Sequence, residues 1–151
     1  MTPRRSAAIT LREVTPDNLR PVLRLDVRDD QKHLVASNAV SIAQGHYSEY
    51  AWWRAIYAGK EPVGFVMLYV DTETPDYGVW RFMIDAKHQG KGYGLKAMRL
   101  VVDHVRTLPG AKELEISYVP GEGSPQPFYI KCGFVDTGEE HEGEMVMKMP
   151  L

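Results

Sequence analysis

The stretch from Val79 to Leu108 constrains this chain most. An apolar, aromatic run, Gly78-Val79-Trp80-Arg81-Phe82-Met83-Ile84, reads as a β-strand. The turn Gln89-Gly90-Lys91-Gly92-Tyr93-Gly94 follows. After it Leu95, Met98, Val101, Val102, Val105 and Leu108 recur at spacings of three and four, the period of one helix face. The chain therefore runs from strand through a glycine-rich turn into a helix. Glycine lets the backbone turn tightly and lets a ligand come close to the main chain. The first amides of a helix have no partner within it and carry partial positive charge. Together these features make an anion cradle, most often for phosphate. Lys91 adds a full positive charge at the turn.

Three ligands compete for such a cradle. A P-loop needs Gly-Lys-Ser/Thr at the helix start, and no such triplet follows here. A dinucleotide fold is the stronger rival, because Gly92-Tyr93-Gly94-Leu95-Lys96-Ala97 fits G-x-G-x-x-A, and Glu113 and Glu115 lie about 20 residues further on. Those acids, however, open the segment 112–119 rather than end it, and half the chain precedes a motif that normally follows a first strand. The third ligand is a cofactor pyrophosphate held in another kind of fold, and the rest of the chain bears on it.

With 151 residues, the chain has enough length for one domain with a real core, taken as residues 1–151, and too little for two comfortable ones. Its formal net charge of −2 gives no electrostatic reason to expect nucleic acid or an anionic membrane as partner. The single cysteine, Cys132, excludes an intrachain disulfide, and no Cys/His ligand set for a metal can be assembled. His33, His46, His88, His104 and His141 show no ligand spacing, although His88 adjoins the turn. Residues 1–10 hold Arg4 and Arg5 but no apolar stretch of signal-peptide length, and no run approaches membrane-spanning length. A cytoplasmic protein is the expectation.

In order, 7–14 alternates as a first strand. Thr15-Pro16 starts a short helix to about Asp26, with Thr15 as cap. Ser37-Asn38 caps a second helix to about Glu49. Trp52 to Ala58 is a strand, 59–62 a turn, and Val63 to Val70 the clearest strand of all. Asp71 to Asp76 is a polar turn before the strand and helix already described, which Pro109-Gly110 stops. Leu114 to Val119 is another strand. Ser124-Pro125 starts a last helix that Gly133 ends, with serine as its cap. Phe134 to Thr137 and Met145 to Met149 form a closing hairpin. The order is β-α-α-β-β-β-α-β-α-β-β: an α/β fold with one central, twisted mixed sheet and about four helices.

That order resembles the GNAT N-acetyltransferase superfamily from end to end. The turn Gln89 to Gly94 resembles the family's Gln/Arg-x-x-Gly-x-Gly/Ala pyrophosphate loop. Phe128-Tyr129-Ile130-Lys131-Cys132-Gly133-Phe134 resembles its second signature, on the last helix. The resemblance implies an acetyl-CoA-dependent N-acetyltransferase that uses no metal. It implies that Phe82, Met83 and Ile84 meet the pantetheine arm through their backbone, that Gln89, Gly90, Lys91, Gly92, Tyr93 and Gly94 take the pyrophosphate, and that Lys131 touches a phosphate. Tyr129 matches the family tyrosine that acts as general acid on the departing thiolate. A homodimer is a further expectation that the family carries.

Two positions depart from the pattern. Glu122 stands where the family often has asparagine, in a loop with three prolines. Gly78 stands where some members carry a catalytic glutamate, which leaves Asp85, Glu49 and Asp76 as candidate bases, or a water chain in place of any. The acceptor region holds Asp26, Asp29, Asp30 and Glu49 beside Tyr47, Tyr50, Trp52 and Trp53. Carboxylates with aromatic faces suit an alkylammonium. Glu49, Tyr50, Trp53 and Asp76 are the candidate acceptor-binding residues. The segments Leu34-Val35-Ala36-Ser37 to Ser41-Ile42-Ala43-Gln44 and Trp80 to Asp85 also resemble the bacterial spermine/spermidine acetyltransferase branch, so a polyamine is the expected acceptor, in a narrow acidic pocket. The alternatives are another amine, a protein lysine or N-terminus in an open groove, or a non-catalytic acyl-CoA-binding sensor.

Overall fold

The structure, a computed structural model, describes residues 7–151; the stretch 1–6 that the signal-peptide reading covers lies outside the described residues. Among the described residues seven strands form one sheet: β1 (Ile9–Arg12), β2 (Ala51–Ala58), β3 (Glu61–Asp71), β4 (Asp76–Ile84), β5 (Glu113–Tyr118), β6 (Val135–His141) and β7 (Glu144–Pro150). The helices are α1 (Leu19–Arg24), α2 (Asn38–His46), α3 (Tyr93–Arg106) and α4 (Gln126–Cys132). The expected element order holds throughout. In space the strands run β1-β2-β3-β4-β5-β7-β6, with β4 and β5 parallel and every other pair antiparallel.

Strand β3 divides the core in two because successive side chains point to opposite faces. Val66 and Leu68 face one layer, where α3 contributes Ala97, Met98, Val101, Val102 and Val105 and α4 contributes Tyr129. Phe65 and Met67 face the other, with Val22 of α1, Ile42 of α2 and Met83 of β4. Both faces of the sheet are thus covered, and β3, buried from Val63 to Leu68, is its hydrophobic centre. Buried Asn38 locks the second layer by donating to the Val22 carbonyl at 2.9 Å.

The structure moves several expected boundaries. Helix α1 begins at Leu19, not at Pro16, because Thr15 to Asn18 form a turn: Asn18 N–H donates to the Thr15 carbonyl, and Asn18 Oδ1 accepts from the Thr15 amide. Helix α2 starts as expected, with Ser37 Oγ accepting from the Val40 amide, but ends at His46. Helix α4 begins one residue later than expected, although Ser124 Oγ still accepts from the Gln126 amide. The final hairpin is longer than expected, since β6 and β7 pair out to His141 and Glu144. Strand β6 is exposed along its length, bulges between Asp136 and Glu140, and has Gly138 at φ +81°.

Candidate active site

Strands β4 and β5 pair only at Gly78–Glu115 and Val79–Ile116. Beyond that point β4 runs on to Ile84 while β5 pairs with β7 alone. The cause is visible in register: Met67 faces Arg81 and Leu68 faces Val79, so Trp80 is an extra residue in β4. A bulge of this kind bends its strand and increases local twist. The two parallel strands therefore splay, and a cleft of about 1110 Å³ opens between them. That is at or above the upper end of the ~300–1,000 Å³ usual for small-molecule sites.

The cleft collects most of the expected cofactor residues. Phe82, Met83, Ile84, Gln89, Gly90, Gly92, Tyr93, Gly94, Tyr129 and Lys131 all line it. Lys91 is exposed and does not. Gly90 and Gly92 sit at φ +79° and +80°, a region costly for residues with a Cβ, and Gly92 is the residue from which α3 departs. Gly94 needs its glycine for another reason: a Cβ there would stand 3.0 Å from the Phe128 ring. The loop thus presents the free amides of the α3 N-terminus to the cleft, a geometry suited to an anion.

Gln89 is more than a loop residue. Its Nε2 donates to the Ile84 carbonyl and to Gln31 Oε1, each at 2.9 Å. Both amide hydrogens are then committed to the protein, so the side chain fastens the loop to the end of β4 and to the α1–α2 connection. That connection supplies Val27, Arg28, Gln31, His33 and Val35 to the cleft wall. Asp85 is a second fastener: buried, it accepts from the Asp26 amide at 2.8 Å and the Lys87 amide at 3.2 Å. It is therefore not the free base that its position at the strand end allowed.

Tyr129 enters from α4 and is 7% exposed. Burial pushes its hydroxyl pKa well up, with smaller contributions from Cys132 and Glu144, so the phenol is neutral and carries its proton. Phe128 packs against Phe82 across the cleft floor, ring centroids 5.9 Å apart. Neighbouring Cys132 is half-buried, and burial pushes its thiol up to about 11, which makes it inert as a nucleophile at neutral pH.

The expected acceptor residues are not brought to the cleft. Glu49, Tyr50, Trp53 and Asp76 are absent from its lining. Tyr50 pairs with Tyr69, their centroids 5.1 Å apart. Trp53 is a packing residue, seated over Gly45 of α2 with His46 on its edge at 5.2 Å. Glu49 is exposed after α2, and Asp76 is exposed at the start of β4, beyond the end where the strands close. Asp26 and Asp29 pair with Lys32 at 3.3 and 2.9 Å, and Asp30 pairs with Arg28 at 3.3 Å. Glu122 is exposed, while its neighbours Gly123, Ser124 and Pro125 line the cleft.

Three charged residues that the sequence reading did not assign to the site do line it: Arg28, Arg81 and Glu144. Arg81 donates to the Trp80 carbonyl at 3.0 Å and to Gln44 Oε1 at 3.2 Å, while its Nε is buried without a partner among the described residues. Burial lowers its pKa, and Glu144 opposes that shift. Glu144 Oε2 accepts from Ser117 Oγ at 3.4 Å. A sequence signal for Glu144 existed, since Met145, Met147 and Met149 alternate with Glu144, Val146 and Lys148 and so put Glu144 on the face opposite the methionines.

The model of the acetyltransferase (GNAT) family matches residues 13–134. A spermine/spermidine N(1)-acetyltransferase of Bacillus subtilis is 29% identical over 151 residues, covering 95% of this chain and 99% of that protein. Among solved structures, an acetyltransferase from Thermus thermophilus superposes with a TM-score of 0.78 at 16% identity, covering 97% of this chain and all of the other. An aminoglycoside acetyltransferase in complex with coenzyme A gives 0.76 at 20% identity, covering 95% of each chain.

Proposed function

The chain belongs to the GNAT acetyltransferase family, and from that premise we propose that it transfers an acetyl group from acetyl-CoA to a primary amine of a small acceptor, a polyamine such as spermidine or spermine. It is an N-acetyltransferase; the donor and the acceptor are the proposal. One observation carries the donor: the splayed β4–β5 cleft ends at a loop whose glycines and helix amides suit a pyrophosphate. The coenzyme A in the related fold of the aminoglycoside enzyme supports the same reading. Beyond Val79 the β4 backbone has no β5 partner, so those of its amides and carbonyls that bond neither β3 nor a side chain can pair with an extended arm, in the manner of an added strand.

Acetyl transfer to an amine needs proximity, a polarised carbonyl, a neutral nitrogen and a proton for the thiolate. The cleft supplies proximity by admitting donor and acceptor from its two ends. Free backbone amides of β4 are suited to polarise the carbonyl. Tyr129 supplies the proton to sulfur, and its burial keeps that proton in place at neutral pH.

The polyamine rests on the Bacillus subtilis relative. Against the expected acidic pocket, the cleft is lined by Arg28, Arg81 and Lys131 and by one carboxylate, Glu144. That balance favours a second reading, an acceptor with a single amine and an anionic group that the cationic lining would receive. Thiol release from acetyl-CoA, measured with spermidine, spermine, diamines, amino acids and aminoglycosides, decides between them. Turnover with polyamines alone supports the first reading. Turnover with amino acids alone supports the second.

A further inference from the structure

Carboxylates are scarce in the cleft. Among the described residues that line it, Glu144 is the one carboxylate. Of the carboxylates weighed as bases, Asp85 is buried and committed to two backbone amides, and Glu49 and Asp76 stand outside the lining. The lining also holds His33 and His88, and His88 Nε2 stands 3.4 Å from Glu61. Glu144 is differently placed. It is the first residue of β7, exposed, on the sheet face opposite Met145, Met147 and Met149. Ser117 Oγ holds Oε2, and no described residue is recorded on Oε1. Tyr129 reaches the same cleft from α4, on the other side of the sheet. The Glu144 charge is felt at both Tyr129 and Arg81.

At neutral pH an alkylamine with a pKa of about 10 is protonated and has no lone pair for attack. Resting on the reading of the chain as an amine acetyltransferase, we infer that Glu144 receives the acceptor's ammonium group at the cleft and takes its proton. The N–H bond breaks toward the carboxylate, and the freed lone pair forms the C–N bond at the thioester carbonyl carbon. The C–S bond then breaks, its electron pair leaving on sulfur, which Tyr129 protonates. Tyr129 recovers a proton through water from the new amide nitrogen, and Glu144 gives its own to solvent. An alkylammonium and a thioester thus yield an amide, a thiol and one proton. Base and acid stand on opposite faces of one sheet, and the splay between β4 and β5 joins them.

The test compares Glu144→Gln with wild type on two nucleophiles at about pH 8: spermidine, which is protonated, and hydroxylamine, which is neutral and needs no base. With spermidine, kcat/KM falls at least about 100-fold in Glu144→Gln, the size expected of a lost general base. With hydroxylamine it falls less than about threefold, the KM for acetyl-CoA stays put, and Glu144→Asp keeps the larger part of the spermidine activity. Equal losses on both nucleophiles would assign Glu144 a structural role and overturn the inference, as would an undiminished Glu144→Gln. A wild-type enzyme that acetylates no amine at all would instead overturn the reading on which the inference rests.

Discussion

Single side chains at the cleft carry separable duties. Tyr129→Phe removes the proposed proton donor and leaves the ring in place. Its kcat should fall by about 100-fold or more, with acetyl-CoA affinity changed little, as read by thiol release and by titration calorimetry. Gln89→Ala removes two hydrogen bonds that fasten the loop, each worth about 0.5–1.5 kcal/mol. It should raise the KM for acetyl-CoA while kcat stays nearly constant, because the reacting groups are untouched. What the sequence revealed at this scale was cleft-lining residues written in local motifs, such as Tyr129 and the Gln89–Gly94 turn apart from Lys91. Arg81 lies within the Trp80–Asp85 segment and Glu144 on an alternating strand, but neither pattern says that its side chain reaches the cleft; sheet register delivers them there. Trp53 failed the other way, since an aromatic residue looks the same in sequence whether it faces a ligand or a helix.

Elements were the most legible level, and glycine and proline did most to make them so. Gly92 and Gly133 mark the start of α3 and the end of α4 with left-handed backbone, at φ +80° and +113°. Gly92→Ala meets no atom within 4 Å, so its cost is backbone strain alone, about 1–2 kcal/mol, and urea denaturation should show it. The Trp80 bulge was illegible, because Gly78 to Ile84 reads as an uninterrupted strand. Yet that one extra residue opens the cleft. Helix α3 meets β2 where His104 stacks on Trp52, centroids 4.4 Å apart, with Arg54 over the same ring. Burial, then the Arg54 charge, lowers the His104 pKa below 6.5. Protonation therefore favours the unfolded chain, and stability present above about pH 6.5 is lost as pH falls through and below it. Thermal melts between pH 7.5 and 5.5 should fall more steeply for wild type than for His104→Phe, which keeps the stack.

At the scale of the whole molecule, the two packed layers meet at β3. Phe65→Ala should cost about 3–5 kcal/mol, measured by denaturant unfolding, since the ring is fully buried. A donor that binds only the folded chain stabilises it by about 2.7 kcal/mol at 100 times its Kd. Acetyl-CoA should therefore raise the melting temperature, and NAD should leave it unchanged, which separates the two cofactor readings. Strand β6 has a different consequence. It is one edge of the sheet, and open edges invite other chains to add a strand. Here the bulge breaks the regular row of hydrogen-bonding groups. Pairing β6 with its own copy about Gly138 would set Asp136 against Glu140, like charge on like. The edge thus discourages runaway strand-on-strand aggregation, and two copies of this chain would have to recognise each other by some other face.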